Sequence, residues 1–334
     1  MIWHPKKYAF RAGLNTHSWT NDNIGLGSVA LGYGPIASGE NSVALGQEVT
    51  ASGLNAMALG SFFTTASGRF SIAIGAEATC SGDRAISMGF SNANGREAIA
   101  LGGTASGNNA YSIGGGTASG NYSTAMGRYV STNLKEGSFV IGDLKNPQSF
   151  TTNDQDNQMM MRFSGGYKFF TNSPASIGVQ IAPGGNSWTT ISDINRKENF
   201  LPVDGEDFLK KLSTFQSVSW NYKGQDAKQY RHYGPMAQEF FAAFGKDQYG
   251  IIGDDTTINQ ADFDGINLIA IQALEKRTTE LKKGNDELKK EITGLKQTAE
   301  QLQTDNTAQN EDIKKLKEKI AELAKTLKAL STHQ

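Results

Sequence analysis

One five-residue phrase recurs along the first half of this chain. It reads Ser28-Val29-Ala30-Leu31-Gly32, Ser42-Val43-Ala44-Leu45-Gly46, Ala56-Met57-Ala58-Leu59-Gly60 and Ser71-Ile72-Ala73-Ile74-Gly75, and it continues to Ser123-Thr124-Ala125-Met126-Gly127 and Ser138-Phe139-Val140-Ile141-Gly142. The closing glycines are 12 to 15 residues apart. A second phrase sits between copies of the first, as in Ala37-Ser38-Gly39, Ala51-Ser52-Gly53 and Ala105-Ser106-Gly107. A fixed period of this kind decides the fold before composition does. Side chains alternate across a strand, so Val43 and Leu45 share one face and Ala44 takes the other. Short strands and glycine corners at constant length predict a parallel β-solenoid, with rungs about 4.8 Å apart and nine rungs spanning roughly 40 Å. The aliphatic ladder is expected to fill the coil, and the flat Ala/Ser face to suit packing against another copy.

Strict Gly-X-Y and the calcium-binding nonapeptide are both absent, which excludes collagen and that class of β-helix. The chain divides into two compositional regimes. Residues 21–131 hold 21 glycines and ten Asp, Glu, Lys or Arg, whereas residues 271–330 hold two glycines and 24 of those charged residues. A formal net charge of -1 leaves no electrostatic footprint for nucleic acid. The single cysteine, Cys80, excludes an internal disulfide framework and zinc-type cysteine clusters. No metal or cofactor is expected. No apolar stretch reaches the roughly 18 residues of a membrane-spanning helix, and the start Met1-Ile2-Trp3-His4-Pro5 lacks the apolar core of a signal peptide.

The paired phrases, over about residues 23–143, resemble the head repeats of trimeric autotransporter adhesins, the YadA-like β-roll. That resemblance implies a homotrimer on a bacterial surface or outside the cell, with a host matrix protein or cell-surface glycan as partner. Tyr33, Phe62, Phe63, Phe70, Phe90 and Tyr122 fall in the variable segments, where they serve either trimer packing or ligand contact.

Residues 1–22 read as a lead-in, 144–158 as a polar linker and 159–190 as a short β connector. Three phrases follow in order. They are Ser192-Asp193-x-x-x-Lys197-Glu198-Asn199, Gly234-Pro235-Met236-Ala237-Gln238-Glu239, and a run from Gly265 to Leu274 that leads into a helix. Together they resemble the endosialidase-type intramolecular chaperone that ends phage tail spikes, tail fibres and many bacterial surface proteins; here it would occupy residues 191–270. The resemblance implies one self-cleavage per chain after trimer assembly, between Ile191 and Ser192. Ser192 would be the nucleophile and Lys197 the general base, with Asp193 and His232 as candidates to support the site. Members often carry arginine three residues after the serine, where this chain has Asn195 followed by Arg196.

A serine hydroxyl needs a base to take its proton. A lysine serves only when its pKa drops from about 10.4 toward neutrality, a cost of about 4 kcal/mol. Burial against Phe200, Leu201, Phe208 and Leu212 is the expected source of that shift. Residues five apart point about 140° from each other on a helix and to opposite faces of a strand. The segment must therefore bend, or the lysine must come from a neighbouring subunit. A short helix over residues 206–212, a strand through Val218, Trp220 and Tyr222, and a helix opened by Pro235 complete this region.

From Ile271 a heptad runs to the end, with Leu274, Leu281, Leu288, Leu295 and Leu302 at d and Ile292, Ile313 and Ile320 at a. It predicts a parallel coiled coil over residues 271–334 with a polar layer at Asn306 and Gln309. The pairs Glu291–Lys296 and Asp312–Lys317 join g to e between chains. The predicted architecture is thus mainly β followed by α: a β-roll head, a small α+β chaperone and a coil, in a homotrimeric fibre. Two other readings use the same parts, a phage-derived tail fibre that binds a receptor and a structural spacer with an inactive chaperone.

Overall fold

The computed structural model describes residues 1–16, 18–145, 149–247 and 250–331, in two compact units that divide after Ile191. The first unit, Met1–Ile191, is a parallel β-solenoid of about eight turns. One wall is a 12-stranded sheet that starts with Ile2–His4 antiparallel to Ala9–Leu14. It then climbs in parallel through Val29–Tyr33, Val43–Gln47 and Met57–Ser61 to Phe139–Gly142 and Met159–Arg162. The opposite wall has nine two-residue strands, from Ile36–Ala37 and Thr50–Ala51 to Thr151–Thr152. Register is fixed by the phrase itself: Val43, Ala44, Leu45 and Gly46 stand beside Met57, Ala58, Leu59 and Gly60.

The faces are opposite to the sequence expectation. Ala30, Ala44, Ala58, Ala73, Ala100 and Ala125 are fully buried, as are Ala37, Ala51, Ala66 and Cys80 from the facing wall. The aliphatics Val43, Leu45, Ile72 and Ile74 are only half-buried, and Met88, Leu101 and Ile113 are exposed, on the outside of the large sheet. Alternation makes two faces but does not say which turns inward. A rung of 12 to 15 residues with two tight corners brings its walls too close for a leucine, so methyls and hydroxyls fill the lumen. The buried serines spend their hydroxyls locally: Ser42 Oγ donates to the Gly39 carbonyl at 2.7 Å. Glycine closes each phrase because the rungs nearly touch there; a Cβ on Gly46 would lie 1.7 Å from the Gly60 oxygen.

Polar side chains stop both ends of the lumen. Arg11 takes the place of the lumen alanine in the first rung and is fully buried. Its Nη1 donates to Ser28 O at 2.9 Å, and its Nη2 to Ser28 Oγ at 2.7 Å and Ala37 O at 3.0 Å. At the other end Asn153 is buried and donates through Nδ2 to Gln158 O at 3.0 Å. The segment expected as a polar linker therefore contributes a strand, Thr151–Thr152, and part of a closing rung. Outside it, Asp143 accepts from Arg162 Nη1 at 2.7 Å and from Ser164 Oγ at 2.6 Å. A three-stranded antiparallel sheet, Tyr167–Phe170, Gly178–Ile181 and Thr189–Thr190, follows.

The second unit, residues 192–334, contains three α-helices among its described residues: α1 (Gly205–Leu212), α2 (Ala237–Phe244) and α3 (Gln260–Ser331). Phe240 and Phe244 of α2 and Ile266 of α3 are buried together, with Phe208, Leu212, Phe215 and Phe263 packed on them. Helix α3 is unbroken over 72 residues and begins 11 residues before the heptad expected from the sequence. Its rise gives about 108 Å. Leu281, Leu295, Leu302 and Leu323 are each more than 60% exposed, part of a largely apolar seam along a single chain that Asn306 and Gln309 interrupt.

Candidate functional site

Beyond Ile191 the backbone enters a short 3-10 turn, Ile194–Arg196. Asp193 caps it: its carboxylate accepts from the Asn195 backbone N–H at 2.9 Å and from Asn195 Nδ2 at 3.0 Å. These bonds, the backbone one first, hold the Asp193 carboxyl below the usual range. Asp193 thus shapes the turn, and Arg196 Nε lies 3.8 Å from its other oxygen.

The turn solves the spacing problem. Neither a helix nor a strand brings residues five apart together, but a tight turn between extended flanks does. Lys197 Nζ donates to Ser192 Oγ at 2.7 Å, so both members of the expected pair meet within one chain. The backbone then turns again at Asn199, whose φ of 58° is left-handed.

The expected burial is not made by this chain. Ser192 and Lys197 are both exposed, and Phe200 and Leu201 are 64% and 59% exposed. Phe208 and Leu212 pack into the helical core instead, Phe208 with its ring 5.2 Å from Phe244. Beside the turn, Asn199, Leu201 and Val203 line an open groove of about 430 Å³ with Phe208, Ile251 and Ile266.

His232 stands apart from the pair. Its strand, His232–Tyr233, lies antiparallel to Ser219–Trp220, and its ring stacks on Trp220 at 4.8 Å with Tyr222 at 5.5 Å. No hydrogen bond or ring contact links it to Ser192 or Lys197 among the described residues. Its Nε2 and the Trp220 Nε1 are buried without a partner. Among the described residues there is no group of His, Cys, Asp and Glu able to hold a metal, and no helix long and apolar enough to cross a membrane.

Sequence reasoning missed the link between α1 and α3. Arg277 Nε donates to Glu206 Oε2 at 2.8 Å and Oε1 at 3.1 Å, and its Nη2 also bonds Oε2. The carboxylate bond and charge raise the Arg277 pKa further. Contacts between residues 71 apart leave no local signal in a sequence.

Comparison with known families gives two matches. The family described as YadA head domain repeat matches residues 24–48, 37–62 and 66–92. The family described as chaperone of endosialidase matches residues 192–247, from the serine of the pair to the strand after α2. No curated protein matches the chain. The chain therefore joins, in one polypeptide, a head built from YadA-type repeats to a segment of the endosialidase-chaperone type.

Proposed function

We propose that this protein is a homotrimeric surface adhesin or fibre protein, whose C-terminal chaperone drives assembly and then cuts itself off between Ile191 and Ser192. The observation that carries the cutting is the 2.7 Å contact between Lys197 Nζ and Ser192 Oγ. With its amine free, Lys197 takes the hydroxyl proton as Ser192 Oγ attacks the Ile191 carbonyl carbon. The C–N bond breaks, the proton passes from Lys197 to the leaving nitrogen, and an ester of Ile191 on Ser192 remains. Water hydrolyses that ester, leaving a carboxylate at Ile191 and a free amine and hydroxyl at Ser192. Each chain reacts once, so this is maturation and not turnover.

Assembly before cutting is supported by what a single chain leaves uncovered. The aliphatic face of the head, the α3 seam and the Phe200-Leu201 strip beside the pair are all apolar and open. Copies of the chain would cover these surfaces and exclude water from the pair. The domain limits proposed are 23–143 for the head repeats, 191–270 for the chaperone and 271–334 for the coil. Head repeats of this family imply a surface or extracellular location. A host matrix protein or surface glycan is the partner proposed for the head.

Intact mass and denaturing gels of wild type, Ser192→Ala and Lys197→Ala test the reading. Wild type splits at Ile191–Ser192 and both variants stay whole. A wild type that assembles and stays whole removes the enzyme from the reading.

A further inference from the structure

Helix α1 docks on one flank of α3. With Ile271 at position a, the buried residues of α3 are Ile266, Ala270 and Ala273 at 4%, 6% and 8% exposure, which are heptad positions c, g and c. Ile271 and Leu274, at a and d, stay 62% and 50% exposed. Gly205 of α1 lies so near that an added Cβ would come within 2.9 Å of Ala273 Cβ. One turn further on, Glu206 holds Arg277, again a g position. The short helix thus lines the edge of the seam without covering it.

In a parallel coil, a g residue faces the e residue five positions later on the next chain. For Arg277 that residue is Lys282. The later pairs Glu291–Lys296 and Asp312–Lys317 attract, whereas Arg277–Lys282 repels. Glu206 supplies the missing negative charge, but only while α1 is docked. Asp204, which caps α1 through the Glu206 N–H at 2.9 Å, is seven residues after Lys197.

We propose that the Glu206–Arg277 ion pair makes zipping of the α3 coil conditional on a docked α1, and so ties assembly to the segment that carries Ser192 and Lys197. The inference rests on the reading of α3 as a parallel coil between copies. Glu206 is a positioning residue: it touches neither reacting atom. An undocked α1 leaves a like-charged layer at the mouth of the coil, and the docked helix removes it.

The test uses the full chain, held whole by Ser192→Ala, with Glu206→Gln, Lys282→Glu and both together, in dilution series by sedimentation velocity at low and high salt. An exposed pair of this kind is worth up to about five-fold in association per chain, or roughly a hundred-fold over three chains. Glu206→Gln weakens association by such a factor at low salt and by less at high salt. Lys282→Glu restores it, because Arg277 then meets a carboxylate across the interface. Self-cleavage, read on the same variants with Ser192 restored, stays slowed in the double variant, whose coil no longer requires α1. Equal association of wild type and Glu206→Gln, or the same gain from Lys282→Glu in both backgrounds, overturns the proposal. A wild type that remains a single chain at every concentration removes the coil reading and this proposal with it.

Discussion

The glycine that closes each repeat phrase offers a matched experiment, because its surroundings differ between rungs. At Gly46, φ is 131° and an added Cβ would sit 1.7 Å from the Gly60 oxygen. At Gly89, φ is 73° and nothing lies within 4 Å of the same added atom. Gly89→Ala therefore meets backbone strain alone, about 1–2 kcal/mol. Gly46→Ala, at a φ outside the left-handed well, meets strain at least as large and must also push the next rung away by about 1.3 Å to reach the shortest Cβ–O contacts real proteins show. That opening breaks at least two ladder hydrogen bonds in the register that pairs Gly46 with Gly60, a further loss of about 2 kcal/mol. The total, about 3–4 kcal/mol, corresponds to local opening faster by a factor on the order of several hundred. For Gly89→Ala the factor is roughly 5 to 30. Hydrogen exchange by mass spectrometry, on peptides spanning residues 43–61 and 86–101, measures both. Equal loss of protection at the two sites would refute the stacking argument.

The inverted faces predict an asymmetry between neighbours: Ala44→Leu overfills the lumen and destabilises the head by about 1–3 kcal/mol in a thermal melt. Leu45→Ala leaves the rung folded and instead lowers self-association by sedimentation. Cys80 is buried and its thiol is pushed up to about 11, chiefly by desolvation, so it should resist alkylation until denaturant opens the head. Asp143 is held down at about 2 by Ser164 hydrogen bonds first, then by the Lys145 N–H and Arg162. A carboxyl depressed in the fold stabilises it fully above its unfolded value near 3.8 and loses that contribution as pH falls toward 2. The thermal advantage of wild type over Ser164→Ala should therefore be full at pH 5, much reduced at pH 2 and gone only below it.

The repeats were legible because phrase and period are local: each five-residue copy contains the outer strand of its rung, or most of it. The inversion was not, since alternation is symmetric and only the lumen's cross-section breaks the tie. The lumen stoppers escaped notice for another reason. Asn153 is one polar residue in a polar run, whereas Arg11 stands in the apolar run Ala9-Phe10-Arg11-Ala12, and only its bonds to Ser28 and to the Ala37 carbonyl, made across the lumen, explain its burial. At the candidate site, resemblance supplied Ser192 and Lys197, while the 3-10 turn that joins them is written in Asp193 and Asn195 as a cap. The water exclusion expected from Phe208 and Leu212 failed because those side chains serve the helical core. The charge conflict of Arg277 with Lys282 was readable from the heptad alone, but its resolution by Glu206 was not.

A lumen lined with alanine and serine also makes the rungs interchangeable. The rungs of Ala30, Ala44 and Ala58 present their neighbours with the same small inner residue and the same five-residue ladder, so one of them can be copied or lost without repacking the rest. The distinct chemistry lies at the two ends, where Arg11 and Asn153 finish the coil. Genetic duplication of a single unit would lengthen the head by about 4.8 Å and leave both ends intact. Reach is thereby separated from stability: how far the head extends can drift with repeat number, while the fold that carries it stays the same.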